Sequence, residues 1–311
     1  MTLGIGVFGK IPSYPEFVRV GTAGPTDRAF ERWLQMANDQ LARADVKLSP
    51  NPLGFCFRDE AAASLLLGVI VGSRDKVGRN FPLAVYCEYG VTKDTSVTHL
   101  AEAFRPALTQ LSMLAMTALE TTRESLKSAV GRVEKPGGST IREGREASAK
   151  AMREVAVEQI LTRMFVDPAE RAYGINVMQR ACEQSRRDGP SRPTCIDATV
   201  TSDVELTFWL AGTEALLPAS QGPVSAFWDV GSQRVIVVPG TPDSKILVAM
   251  AAPHAQDPKI WRTETSSESS RKAAWDKLDE PVRAMLEAPG EASVQEFLDV
   301  LGTANPRTAV P

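Results

Sequence analysis

Histidine and cysteine are scarce in this chain of 311 residues: there are two histidines, His99 and His254, and four cysteines, Cys56, Cys87, Cys182 and Cys195. No C-x-x-C pair occurs, and this spacing offers no ligand set for a structural zinc. Cys56 and Cys87 fall in apolar runs and read as small core hydrophobes. Two histidines leave little material for a Ser-His-Asp triad. The nucleophile-elbow pattern G-x-S-x-G is also missing, because the stretch around Ser73 reads Val71-Gly72-Ser73-Arg74-Asp75. Long apolar runs are lacking as well, and none nears the roughly 20 residues that span a bilayer. The first residues have neither the basic segment nor the apolar core of a secretory leader, so a reduced, cytoplasmic location is expected.

Nor is there a surplus of one charge. Lys and Arg number 35 against 38 Asp and Glu, a net charge of −3. Nothing in that balance favours non-specific binding to nucleic acid or acidic lipid. Small basic clusters occur at Arg186-Arg187 with Arg192, and at Arg142 with Arg145. Each is interleaved with acids and has no aromatic partners of the kind that stack on bases, so they read as surface loops. The expectation is therefore no nucleic-acid partner, no direct membrane insertion, no metal and no cofactor.

What is present is ordinary globular material, 43% hydrophobic and 23% charged. Leu3 to Phe8 reads as a strand, with its glycines in or ending a sheet edge. Thr26 is the expected cap of a helix whose apolar face is Phe30, Trp33, Leu34, Ala37 and Leu41. Leu53–Phe57, Leu65–Val71 and Phe81–Tyr89 read as turn-linked antiparallel strands, with Pro82 held at a strand start. Asp94 is a candidate cap for a helical pattern from Val97 to Ala115, and Pro106 kinks or breaks it. Gly131 to Ala147 has almost no large apolar residue and reads as a flexible loop. Helical spacing resumes at Met152, and Asp167-Pro168 starts another helix. Val204–Leu210, Val224–Trp228 and Arg234–Val238 read as strands, the last two joined by a Gly231-Ser232 turn. A short helix is expected from Thr241-Pro242, then a Ser/Thr-rich linker over 263–271 and two helices, 272–286 and 293–301. The fold class is α+β: a mostly antiparallel central sheet flanked by helices in an α/β/α-like sandwich, with a helical C-terminal tail. Residues 1–257 form the expected domain and 258–311 a polar linker and helical extension.

The opening Gly4-Ile5-Gly6-Val7-Phe8-Gly9-Lys10-Ile11-Pro12-Ser13 resembles two nucleotide motifs without completing either. A P-loop needs Ser or Thr after its lysine, to hold magnesium, and a helix that starts there. Here Ile11 takes that position, and Pro12 and Pro15 oppose a helix. The dinucleotide pattern also needs a βαβ unit with an acid about 20 residues onward, and no such strand follows.

Two segments carry a different resemblance. Gly9-Lys10-Ile11-Pro12-Ser13, Glu16-Phe17-Val18 and Arg32-Trp33-Leu34-Gln35 form the first, and Asp75-Lys76-Val77-Gly78-Arg79-Asn80-Phe81-Pro82-Leu83 the second. In this order and spacing they resemble the TagF (ImpM) family of type VI secretion-associated proteins. Ser225-Ala226-Phe227-Trp228 and Gly240-Thr241-Pro242 are similar to further family elements. Tyr14-Pro15-Glu16 stands where the family has Arg-Gly-Asp, and Phe30-Glu31 where it has Trp-Asp, which marks a divergent member. The resemblance implies a non-catalytic cytoplasmic regulator that restrains the secretion machine after translation. Its implied partners are type VI proteins, either a forkhead-associated scaffold protein or a membrane-complex component.

The motif residues Lys10, Pro12, Ser13, Glu16, Asp75, Gly78, Arg79 and Pro82 are the candidate partner-facing or loop-fixing positions. Antiparallel pairing of their strands would bring both turns to one end of the sheet. There Asp75 or Glu16 would pair with Lys10 or Arg79, and Gly78 would allow a positive φ. Phe17, Trp33 and Phe81 each continue an apolar spacing and read as core.

Overall fold

The structure, a computed structural model, describes residues 2–21, 24–59, 63–92, 95–191, 193–217, 224–229, 233–265 and 267–304. Asp94, Arg192 and the Gly231-Ser232 turn lie outside the described residues. The N-terminal half contains β1 (Thr2–Gly9), β2 (Val18–Val20), α1 (Pro25–Arg43), β3 (Leu53–Arg58), β4 (Ser64–Val71) and β5 (Leu83–Gly90). Six helices follow: α2 (Val97–Ala103), α3 (Arg105–Ala118), α4 (Arg123–Val130), α5 (Gly138–Glu154), α6 (Val157–Met164) and α7 (Pro168–Asp188). The remainder is β6 (Cys195–Thr199), α8 (Asp203–Leu216), β7 (Ser225–Asp229), β8 (Arg234–Val238), α9 (Ile246–Ala251), β9 (Ile260–Arg262), α10 (Glu268–Trp275), α11 (Glu280–Glu287) and α12 (Val294–Ala304).

The strands form one nine-stranded sheet in the order β2-β1-β5-β4-β3-β7-β8-β6-β9. Neighbours are antiparallel except β6 and β9. β4 is buried along its whole length because helices cover both faces. Side-chain alternation then splits the core in two. Leu65, Leu67, Val69 and Val71 point to the face covered by the helices from α2 to α8 and the tail. Leu66 and Ile70 point to the other face, under α1 and α9. On that second face Phe30 of α1 stacks on Phe55 with ring centroids 5.0 Å apart. Trp33 stacks on Phe227 at 5.2 Å. Trp33 and Phe81 are core, as their spacing requires. Phe17 is not, being 39% exposed.

Several expectations change against this frame. β1 is not the sheet edge, because the short β2 covers Val7 to Gly9. Gly24 caps α1 in place of Thr26, because Pro25 occupies the first helical position and the cap falls two residues earlier than expected. Thr26 instead hydrogen-bonds the Ser64 hydroxyl. The pattern from Val97 to Ala115 breaks at Phe104, and Pro106 sits in the first turn of α3, where a missing N–H costs nothing. Val204–Leu210 is the first half of α8, capped by Ser202. From Glu205 onward that run is buried all round, so its period cannot separate helix from strand.

Gly131 to Ala147 is helical from Gly138 onward. Its shortage of large apolar residues reflects close approach between helices: a Cβ on Gly144 would lie 2.4 Å from Ala103 Cα of α2. Residues 263–271 include the start of α10, and the helix expected over 272–286 is two helices separated at 276–279. β9 pairs with β6, so the sheet continues past the boundary expected at residue 257. The helices beyond it are docked. Val282, Leu286, Val294 and Leu301 are buried, and the buried Phe297 ring stacks on Phe208 of α8 at 5.9 Å.

Candidate functional site

The register of β1 against β5 pairs Phe8 with Ala84. The chain leaving β1 and the chain entering β5 therefore emerge side by side at one end of the sheet. β1 gives way to a turn that leads into β2, and no helix starts between Lys10 and Gly21. Lys10 therefore has no helix N-terminus ahead of it. Its ammonium turns inward and sits 2.8 Å from Asp75 Oδ2.

Asp75 is the node of this end. It is 2% exposed, and its carboxylate accepts four hydrogen bonds. Lys10 Nζ donates at 2.8 Å and Arg79 Nε at 2.6 Å, both to Oδ2. The backbone N–H groups of Val77 and Arg79 donate to Oδ1 at 3.0 and 2.9 Å. Those four donors fill the acceptor capacity of a carboxylate. Burial opposes ionisation of Asp75, but the bonds from Lys10 and from the Arg79 backbone and side chain outweigh it. The carboxyl is held well below the usual carboxylate range.

The two loops are further stitched together. Arg79 Nη2 donates to Pro15 O at 2.7 Å, Lys76 N to Tyr14 O at 3.2 Å, and Ser73 Oγ to Lys10 O at 2.7 Å. Gly78 sits at φ +88° with nothing within 4 Å of a notional Cβ, so its glycine serves the turn's backbone and not packing. Ser13 Oγ donates to Thr121 O at 2.6 Å, and Arg123 lies 4.8 Å over the Tyr14 ring. The turn between α3 and α4 thus holds the other side of the first loop. Pro82 is buried just ahead of β5, where no ladder donor is needed.

The structure brings Lys10, Ser13, Asp75, Gly78, Arg79 and Pro82 into this one constellation. Pro12 lines an adjacent cleft of about 470 Å³. Glu16 does not join the clamp: it is exposed and has no ion pair among the described residues. Asp75 already pairs with both nearby cations. Phe17 lies over the clamp, 5.2 Å from Lys10 Nζ and stacked on Phe8 at 5.4 Å. Val77, at the tip of the second loop, is 67% exposed.

Sequence reasoning did not find the cleft. Asn38, Leu41 and Asp45 come from α1 and its end, Lys47 and Leu48 from the following segment, Arg74 and Asn80 from the second loop. These segments meet only through the sheet, and no local signal joins them. The same holds for Thr121 and Arg123. The four cysteines are all buried and unpaired, and burial pushes their thiols up, to about 12 for Cys87 and Cys182. Among the described residues no group of three or more His, Cys, Asp or Glu is placed to hold a metal ion, and no helix is long and apolar enough to cross a membrane.

Residues 6–133, which include both clamp loops, match the family described as TagF N-terminal domain, Type VI secretion system-associated. That similarity covers less than half of the 311-residue chain. The match ends near α4, so the similar motifs at Phe227-Trp228 and Gly240-Thr241-Pro242 lie beyond it. A solved structure, PA0076 from Pseudomonas aeruginosa PAO1, is similar to this chain at 20% identity. It covers 47% of this chain and 77% of that one, with a TM-score of 0.39. No curated protein matches. Lys10, Asp75 and Arg79, the ionic centre of the clamp, all fall inside the matched residues 6–133.

Proposed function

We propose that this chain is a non-catalytic, cytoplasmic regulator of the type VI secretion system. It restrains assembly or firing of the machine after translation, by binding a scaffold protein with a forkhead-associated domain or a membrane-complex component. The similarity of residues 6–133 to the TagF N-terminal domain, with its type VI association, supports the setting. The observation that carries the binding role is the clamp. Lys10, Asp75 and Arg79 join two loops into one fixed surface that carries Val77 and Phe17 outward. Preorganised loops bind with less ordering cost than free ones.

The test is a deletion and an overproduction in a strain that makes the apparatus, read by secreted effector and by sheath imaging. A regulator predicts more firing on deletion and silence on overproduction, with the apparatus able to assemble in the deletion. Loss of assembly on deletion would instead mark a structural or chaperone component. Magnesium-dependent micromolar binding of ATP or GTP, read by titration calorimetry, would favour an enzyme.

A further inference from the structure

The cleft beside the clamp holds polar groups that the fold leaves idle. The carboxamides of Asn38 and Asn80 line it and make no side-chain hydrogen bond among the described residues. The Lys47 and Arg74 side chains line it too, and neither has an ion pair there. Asp75, next in sequence to Arg74, is already occupied by Lys10 and Arg79. Asp45 is the one acid on the cleft wall, so the lining is net cationic in a chain of net charge −3. Leu41, Val46, Pro82 and Leu119 supply apolar wall between these groups.

This combination has a specific complement. Carboxamides present a donor and an acceptor together, as a peptide main chain requires. Lysine and arginine call for carboxylates. The apolar wall suits one aliphatic side chain, and the volume lies within the range of ligand sites. A nucleic acid fits poorly, because the one aromatic on the wall, Phe81, is buried and offers no stacking face.

We propose that this cleft binds an acidic peptide segment of a partner protein. The segment's carboxylates meet Lys47 and Arg74, its main chain meets Asn38 and Asn80, and an apolar side chain lies against Leu41 and Pro82. The proposal rests on the binding role above and names the partner chemistry of the same end of the molecule.

The experiment is selection of a random 12-residue phage-displayed peptide library on the whole protein. A parallel selection uses the Lys47→Glu/Arg74→Glu variant. A synthetic peptide of the selected consensus is then titrated by fluorescence anisotropy. The expected result is enrichment of Asp and Glu around a Leu, Ile or Met. Affinity should fall at least about tenfold in the charge-reversed variant and fall also with salt. Should that variant melt below the wild type, Lys47→Gln/Arg74→Gln serves in its place. No enrichment, enrichment of basic or neutral sequences, or equal binding by the variants would overturn the proposal. If the peptide result fails while the protein still captures a type VI component, the cleft assignment falls alone. If the peptide binds while deletion leaves secretion unchanged, the regulatory reading falls alone.

Discussion

Lys10 and Asp75 are 65 residues apart in the chain and 2.8 Å apart in the fold. Their contact converts two separate motif loops into one body. The pair is buried while its second cation, Arg79, is more than half exposed. This asymmetry sets the energetics. Removing Asp75 leaves Lys10 buried and uncompensated, whereas removing Arg79 leaves the inner pair intact. Asp75→Asn should therefore lower the melting temperature well beyond the effect of Arg79→Ala, which should cost about 1 kcal/mol or less. The Asp75 carboxyl titrates below its unfolded value of about 3.9, so its contribution is complete above that pH and is lost as pH falls. Denaturant melts should show wild type and Asp75→Asn converging between about pH 5 and pH 2.

Glu214 behaves in the opposite sense. It reaches from α8 to the start of α2 and accepts from Ser96 Oγ, Val97 N and Thr98 Oγ1 at 2.7, 2.6 and 2.7 Å. Burial raises its carboxyl above the ordinary glutamate range, against those three donors. A raised acid makes the fold lose stability as pH climbs through the folded-state value. The stability of Glu214→Gln relative to wild type should therefore improve from pH 4 to pH 7. A constant difference across that range would show that burial is not the governing cause.

The two aromatic positions near α1 should separate cleanly. Phe30 is fully buried between Phe55, Phe57 and Tyr86, and Phe30→Ala should cost about 3–5 kcal/mol in urea unfolding. Phe17 is only partly covered, and Phe17→Ala should cost about 1 kcal/mol. If Phe17 belongs to the partner surface, its replacement lowers partner capture at nearly unchanged stability.

The C-terminal helices should be thermodynamically part of the fold. Phe297 is fully buried against Phe208, so Phe297→Ala should cost about 3–5 kcal/mol, the value of a core position. A cost within about 0.5 kcal/mol would mean that α12 contributes nothing to the core.

The clamp was legible because its charges are spaced by turns and its strands by alternation. Gly78 and Pro82 mark where the second loop turns and where β5 begins, and antiparallel pairing follows from turn-linked strands. Of the two acids expected to pair with Lys10 or Arg79, Asp75 takes both cations because its carboxylate has acceptor sites enough, and sequence cannot count donors in space. The helix at α5 was hidden because Gly144 and Ser148 face Ala103 and His99, where small side chains let two helices meet. Sequence reads small residues as loop, and only the partner helix reveals them as contact. α8 was misread for the converse reason. Buried on every side, Leu206 to Leu210 carries no amphipathic period to betray a helix.

The most direct test of the account places a photo-crosslinking residue at Val77, the exposed tip of the second clamp loop, in cells that produce a type VI apparatus. Val166, which is 92% exposed between α6 and α7, serves as the control position. The account predicts a discrete crosslink to a type VI component from position 77, lost in the Asp75→Asn background and not seen from position 166. A crosslink from 166 and none from 77 would contradict it.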